Sequence, residues 1–500
     1  MSLAESLAET IGHTGIQAGD ATVARLAAAL GDGSLTAADL TAFYLARIGR
    51  LNPDLHAVIT VSPTAGTEAA ASDDRRSRGT STGPLDGIPV LIKDNVSAAG
   101  MPATAGSPAL ERAAATDAFL VARLRQAGAV ILGKANLSEW ANFRSRPSSS
   151  GLSTLGGQAL NPHGTGRSPS GSSSGSGSAV AAGLAPLAVG TETDGSIVSP
   201  ASACGIVGIK PTVGLVSRSG VVPISAQQDT AGPMTRTVAD AALLLTAMAG
   251  SDPSDPASER AAAEACEYST FLDPAALAGA RLGIWRDGSK DADRATAALL
   301  DTIVARLRAH GAQVVDPVEL ADVDQAEEPE FAALTHEFKH DINAYLAGLG
   351  GEHPADLAGL IAFNTGNAGT VLRQFGQELF EAAEATSGDL ADPDYAGKRS
   401  AATRIARSAL DGALGGGGLG GGGLDAVVCL TGHPAWLTDP VLGDSHRWGT
   451  STPAAVAGYP SITVPAGSVS GLPVGLSFTG PAWGEPRLIA LAHAFELAGG

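Results

Sequence analysis

Apolar and polar positions alternate along the chain with two different periods. Residues 21 to 51 repeat at helical spacing: Leu40, Phe43, Tyr44, Leu45, Ile48 and Leu51 form one stripe behind Thr36-x-x-Asp39, a capping-box-like start. The pattern predicts two helices there, with Asn52-Pro53 as the stop, and a further exposed helix over 64 to 82. Pro84-Leu-Asp-Gly-Ile-Pro-Val-Leu-Ile-Lys93 then turns into a β-branched run, which predicts a buried strand ending at Lys93. Leu120 to Gly128 reads as helix, Ala129 to Leu132 as strand, 179 to 188 as helix, and 205 to 210 and 213 to 216 as strands. Thr237-x-x-Asp240 opens a helix, Ala241 to Ala249. Such alternation predicts an α/β fold, a sheet with helices on both faces.

From about 255 to 412 the pattern changes to alanine-rich helices, interrupted by a strand-helix-strand set (281 to 285, 295 to 309, 313 to 315). Gly415 to Gly423 is low-complexity and reads as a mobile surface loop. Strands resume at 425 to 430, 461 to 464 and 474 to 478, before a last helix from Pro486 to Ala498. A return to strands predicts one domain over 1–500. Residues 21–254 and 424–500 form its core, and 255–415 is a mainly helical insertion lining a substrate pocket.

One stretch breaks both periods. Arg167-Ser-Pro-Ser-Gly-Ser-Ser-Ser-Gly-Ser-Gly-Ser178 stands directly against the apolar run Ala179 to Gly190, and Gly190-Thr-Glu-Thr-Asp-Gly-Ser-Ile197 follows. A linker would stay polar on both sides. Hydroxyls and bare amides that lead into core must find partners there, as the wall of an active site does.

Composition narrows the function classes. A net charge of −19 over 500 residues argues against an electrostatic grip on nucleic acid or anionic lipid. Cys204, Cys266 and Cys429 are far apart and give no metal-ligand spacing; an odd count fits a reducing compartment. The first ten residues carry acids and no basic segment before an apolar one, and no run approaches a membrane span, so a cytoplasmic protein is expected. Of the 32 basic residues only those at 93, 134, 210, 290, 339 and 398 are lysine, so each lysine is a candidate for a titratable amine.

Two motifs come close to known chemistry. Gly128-Ala-Val-Ile-Leu-Gly-Lys134 nearly spells a phosphate-binding loop, but Ala135 replaces the metal-holding Ser/Thr and the loop residues are strand-formers. Gly171-Ser-Ser-Ser-Gly175 fits a nucleophile elbow, which needs a preceding strand that Gly164 to Pro169 cannot supply; a Ser-His-Asp esterase would recruit His433 or His446. The third constellation has no histidine: Lys93 closing a buried strand, Ser172 in the Ser/Gly run, and Ser196 after the Gly190-to-Gly195 turn.

With Gly-Ile-Pro-Val-Leu-Ile-Lys-Asp-Asn (87 to 95), Leu-Gly-Lys-Ala-Asn-Leu-Ser-Glu-Trp-Ala (132 to 141), the Ser/Gly run and Asp229-Thr-Ala-Gly-Pro-Met-Thr-Arg236, the chain resembles the amidase-signature hydrolases. The likeness runs from the helices near 21 to the last helix and is most specific between 84 and 236. Thr191-Glu-Thr-Asp-Gly-Ser196 and Asn136-Leu-Ser-Glu-Trp-Ala-Asn-Phe-Arg144 are similar to the peptide amidases, which remove the C-terminal amide of peptides. Val198 stands where many members carry arginine.

The resemblance implies the amidase-signature fold, a central mixed sheet flanked by helices. It also implies a Ser-cisSer-Lys triad: Ser196 as nucleophile, Ser172 as bridging hydroxyl after a cis peptide bond, and Lys93 as base. A serine hydroxyl needs a proton acceptor, and lysine accepts only if burial lowers its pKa. The turn Thr193, Asp194, Gly195, Ser196 offers successive N–H groups to an oxyanion. Ser173, Asn95, Asp94, Asp229 and Arg236 are read as braces, and Asp194, Trp140, Phe143 and Tyr345 as substrate contacts. No metal or organic cofactor is implied; the expected partner is a small or peptide amide, with no nucleic acid and no membrane, and the oligomeric state is not readable. The alternatives are aryl or aliphatic amides, the A subunit of a tRNA-dependent amidotransferase, or a non-catalytic binding protein on the same scaffold.

Overall fold

A computed structural model of the protein describes residues 2–415 and 423–499. Its centre is one sheet of 11 strands. In chain order these are β1 (Val58–Val61), β2 (Pro89–Lys93), β3 (Val130–Ala135), β4 (Leu187–Glu192), β5 (Val207–Lys210), β6 (Thr230–Thr235), β7 (Arg281–Ile284), β8 (Gln313–Val315), β9 (Ala426–Leu430), β10 (Ser461–Val469) and β11 (Leu472–Thr479). They lie in the order β1-β3-β2-β4-β6-β5-β10-β11-β9-β7-β8. β2 runs parallel to both β3 and β4, whereas β4 and β6 pair antiparallel, so the sheet is mixed. Every residue of β2, β3, β4 and β6 is buried, as strands covered on both faces must be. No helix among the described residues is long and apolar enough to cross a membrane.

Most predicted elements are present within a few residues. Thr36 caps helix Ala37–Leu55, accepting the Asp39 amide, and Thr237 caps Val238–Met248 in the same way. Asn52-Pro53 does not stop the first of these helices. Pro53 sits in its last turn, and the end comes at His56, which adopts the left-handed conformation. Residues 213 to 216 are a turn and not a strand, while β6, in the stretch carrying Asp229, was hidden by its glycine and proline. The helix expected over 179 to 188 lies earlier, at Ser174–Ala181, and Leu187–Glu192 is the strand β4. Apolar residues alone do not separate a buried helix from a buried strand.

That displaced helix explains the Ser/Gly run. Glycine at 175 is required because a Cβ there would stand 2.4 Å from the Ala57 carbonyl oxygen and 2.5 Å from the Asn136 backbone. The helix is wholly buried, and its hydroxyls find carbonyl partners: Ser174 donates to Ser170 O, Ser176 to Val189 O and Ser178 to Leu160 O. The serines thus brace the backbone of the surrounding strands and loops. The predicted glycine-rich loop at 415–423 lies almost entirely outside the described residues.

The 255–415 region is not a separate insertion: its strands β7 and β8 complete the central sheet and Leu282, Ile284, Leu300 and Ile303 join the main core, while others of its helices pack through a second apolar cluster. Leu334, Phe338, Ile342 and Leu346 of helix Glu327–Gly348 and Phe380 of helix Glu378–Glu384 close over Trp140 and Phe143. Trp140 meets Phe380 edge-on at 5.4 Å and Phe143 lies 5.0 Å from Phe338.

Candidate active site

The carboxyl ends of the parallel neighbours β2 and β4 carry Lys93 and Thr191 to one point, the customary place for a site in such sheets. Lys93 is fully buried. Its Nζ lies 2.8 Å from Ser172 Oγ, 2.9 Å from Thr191 Oγ1 and 3.1 Å from Thr191 O. Asn95 Nδ2 donates to the same Thr191 hydroxyl at 2.9 Å. Burial lowers the Lys93 pKa to about 7, against the opposing pull of Glu192 and Asp229. The other two lysines of the central sheet, Lys134 and Lys210, are also fully buried. Lys134 pairs with Asp94 at 3.1 Å inside β3, so its amine holds a carboxylate and the near-match to a phosphate loop is a strand.

The peptide bond between Gly171 and Ser172 is cis. The Ser138 N–H donates to Ser172 O at 3.1 Å, and the Ser173 N–H donates to Ser196 O at 3.1 Å. Ser173 Oγ both donates to Thr191 O and accepts from the Thr191 N–H, which stitches the Ser/Gly run to β4. Ser172 and Ser196 line the same small cavity, together with Asn95, Thr191, Thr193 and Asp229. Ser196 also faces a larger cavity of about 370 Å³.

The loop before Ser196 is held by two carboxylates. Glu192 Oε2 accepts the N–H groups of Ile197 at 2.7 Å and Val198 at 3.0 Å. Asp229 accepts the Thr193 hydroxyl at 2.5 Å and the Ile224 and Ser225 amides, and burial raises its pKa to about 6. Gly195 takes φ +75°, the left-handed turn that favours glycine. Among the described residues the N–H groups of Thr193, Asp194, Gly195 and Ser196 have no acceptor within the protein. Arg236 acts elsewhere: it donates to Val180 O and Ala21 O, tying helix Ser174–Ala181 to the N-terminal segment.

The larger cavity corrects two expectations. Its walls are Ala141 and Asn142, Ser150, Ser170 and Gly171, the 194–199 loop, and above all the segment 431–452; none comes from 255–415. Trp140, Phe143 and Tyr345 are not on those walls. Trp140 and Phe143 are buried in the cluster that anchors helix Glu327–Gly348, and Tyr345 packs against its edge. A left-handed turn over Trp140, Ala141 and Asn142 sends the large ring inward and leaves the small residues facing the cavity. Asp194 does line it, with its two oxygens accepting the Ser451 hydroxyl at 2.5 Å and the Thr452 hydroxyl at 2.6 Å.

Of the two histidine candidates, His433 is taken up by backbone hydrogen bonds. His433 Nδ1 lies 2.9 Å from Pro434 O and its Nε2 accepts the Arg447 N–H at 3.0 Å. Both nitrogens are spent on backbone, which fixes the neutral tautomer; burial lowers its pKa to about 4. His446 is a wall residue set edge-on to Trp436, with ring centres 5.3 Å apart. Sequence reasoning passed over Thr191, although it sits inside the quoted motif, because a threonine next to a turn carries no chemical signature. It also passed over Trp436, Asp444, Ser451 and Thr452, whose segment has no periodicity to place it.

Comparison with known proteins gives the family. A probable amidase of Arabidopsis thaliana is 41% identical over 491 residues, covering 96% of this chain and 90% of the relative. The crystal structure of native peptide amidase from Stenotrophomonas maltophilia is 48% identical and superimposes with a TM-score of 0.90, covering 96% of this chain and 97% of that one. A peptide amidase in complex with the competitive inhibitor chymostatin gives 49% identity and a TM-score of 0.91 over the same shares. With the Amidase family matched from residue 39 to residue 489, around a lysine and two serines gathered at one end of a mixed sheet, the chain belongs to that family and has its fold.

Proposed function

We propose that this amidase, a hydrolase of amide C–N bonds, releases ammonia from the C-terminal carboxamide of peptides through an acyl-enzyme on Ser196. The single observation that carries the reading is the 2.8 Å approach of a fully buried Lys93 amine to Ser172 Oγ. A neutral amine has two protons and one lone pair. Thr191 O and Thr191 Oγ1 accept the two protons, which leaves the lone pair for the Ser172 hydroxyl.

Ser172 then passes its proton to Lys93 as it takes the Ser196 proton, and Ser196 Oγ adds to the amide carbon. The oxyanion finds the open N–H groups of residues 193–196; losing one such donor costs about 3 to 4 kcal/mol of transition-state stabilisation. Collapse breaks the C–N bond while the proton returns through Ser172 to the departing nitrogen, so ammonia leaves. Water attacks the resulting ester along the same relay and releases the acid and free Ser196. The charge of Asp194, in the cavity wall, disfavours that carboxylate product and helps it leave.

The likeness to peptide amidases over 96% of the chain supports peptide amides over aryl or aliphatic ones. The test is ammonia release over peptide amides, free amino-acid amides and anilides. Turnover led by peptide amides is expected; a preference for anilides or simple aliphatic amides would overturn the substrate assignment.

A further inference from the structure

Two cavities meet at Ser196. The larger, of about 370 Å³, has Gly171 on its wall but not Ser172. The smaller, of about 10 Å³, is walled by Ser172, Asn95 and Thr191, and only Ala141 and Ser196 face both. A volume of about 10 Å³ is room for one group the size of a water molecule.

The proton relay gives each cavity its part of the substrate. Ser196 Oγ adds to the carbonyl carbon, and the departing nitrogen takes its proton from Ser172. That nitrogen must then lie within hydrogen-bond reach of Ser172 Oγ, on the side of the small cavity. The remainder of the peptide is left to the large one.

Asn95 brings to the small cavity an acceptor without a donor. It is 4% exposed, and its Nδ2 donates to Thr191 Oγ1 at 2.9 Å, which lays the side chain along the wall. Among the described residues its Oδ1 has no hydrogen-bond partner. A buried acceptor left unpaired is costly, so the site favours a ligand that brings an N–H. Val222 supplies an apolar wall, and its own N–H donates to Asn95 O at 2.8 Å. Asp229 accepts the Ile224 amide at 2.8 Å, so the loop that carries Val222 is pinned at both ends.

We propose that the small cavity is the leaving-group pocket, in which Asn95 Oδ1 accepts an N–H of the substrate's carboxamide and Val222 limits the nitrogen to one without substituents. This rests on the carboxamide reading of the site and deepens it by naming the residues that select primary amides. In the tetrahedral intermediate the nitrogen has two N–H groups and one lone pair. The lone pair takes the Ser172 proton as the C–N bond breaks, one N–H stays on Asn95 Oδ1, and ammonia leaves. A methyl group on that nitrogen would need space the cavity lacks.

The experiment uses an N-acetyl dipeptide amide, its N-methylamide, and its methyl ketone, in which a methyl of similar size replaces the NH2. In wild type, kcat/KM for the primary amide should exceed that for the N-methylamide by more than about tenfold, and Val222→Ala should narrow the gap at least about fivefold. A wild-type gap under tenfold, or one that Val222→Ala leaves unchanged, overturns the pocket while ammonia release from peptide amides stands. Calorimetry on Ser196→Ala reads Asn95 without turnover. There the amide should bind about tenfold more tightly than the methyl ketone, and within about twofold of it once Asn95→Leu is added. A role confined to bracing Thr191 would leave the tenfold preference in place and overturn the Asn95 assignment. Where Asn95→Leu does not fold, the wild-type and Val222→Ala gaps decide. Wild type inactive on the primary amide overturns the substrate reading first, and this one with it.

Discussion

Glu192 Oε2 stands 2.7 Å from the Ile197 amide, one residue beyond Ser196. The same oxygen takes the Val198 amide, so a carboxylate at the end of β4 reaches across the turn and closes it around the nucleophile. It accepts the two amides that follow the loop and leaves the four before them open. Its negative charge also favours the protonated form of Lys93.

Glu192→Gln keeps an acceptor oxygen for the two amides and removes the charge. The Lys93 pKa should then fall, moving the acid limb of the pH–rate profile to lower pH. Steady-state kcat/KM between pH 5 and 9 checks this; a limb that stays in place would separate Glu192 from the base.

In the wild type, activity should rise with pH through about 7 as Lys93 loses its proton. Lys93→Met should lower kcat by at least about a thousandfold, in the range seen for loss of an activating base. A profile flat from mildly acidic to alkaline pH would count against a lysine base.

The same group makes a stability prediction. Its folded pKa, about 7, lies below the ordinary value of 10.5, so between those pH values the unfolded chain binds the extra proton. Stability therefore rises with pH across that window, by up to about 1.4 kcal/mol per pH unit. Urea unfolding at pH 7 and pH 9.5 should show wild type gaining relative to Lys93→Met; a constant difference would mean that the amine is charged when folded.

Asp194→Asn tests the product-release role. Inhibition by the peptide acid should strengthen several-fold while the KM for the amide changes less. Equal inhibition constants in both proteins would reduce Asp194 to a clamp on Ser451 and Thr452.

Phe143→Ala should cost about 3 to 5 kcal/mol of stability, because it empties a buried ring site between the core and helix Glu327–Gly348. Thermal unfolding measures the loss. The KM at temperatures where the variant is folded should stay close to wild type, since the ring does not face the cavity.

Lys93, Ser172 and Ser196 were legible as candidates from sequence because each breaks its local pattern: a lysine ending an apolar strand, hydroxyls beside core, a glycine-rich turn before a serine. Strand and helix periodicity likewise foretold the α/β layering, since burying one face imposes the period. The aromatic candidates were misplaced for the converse reason. Trp140 and Phe143 look the same in sequence whether they face a ligand or a neighbouring helix, and only the turn at Ala141 and Asn142 decides. Tertiary structure alone brought β4 beside β2, so that Thr191 could hold Lys93, and laid residues 431–452 over Ser196 from more than 200 positions away. Neither relationship leaves a periodic trace, because pairing between distant segments depends on how the whole sheet closes and not on the order of residues within either one.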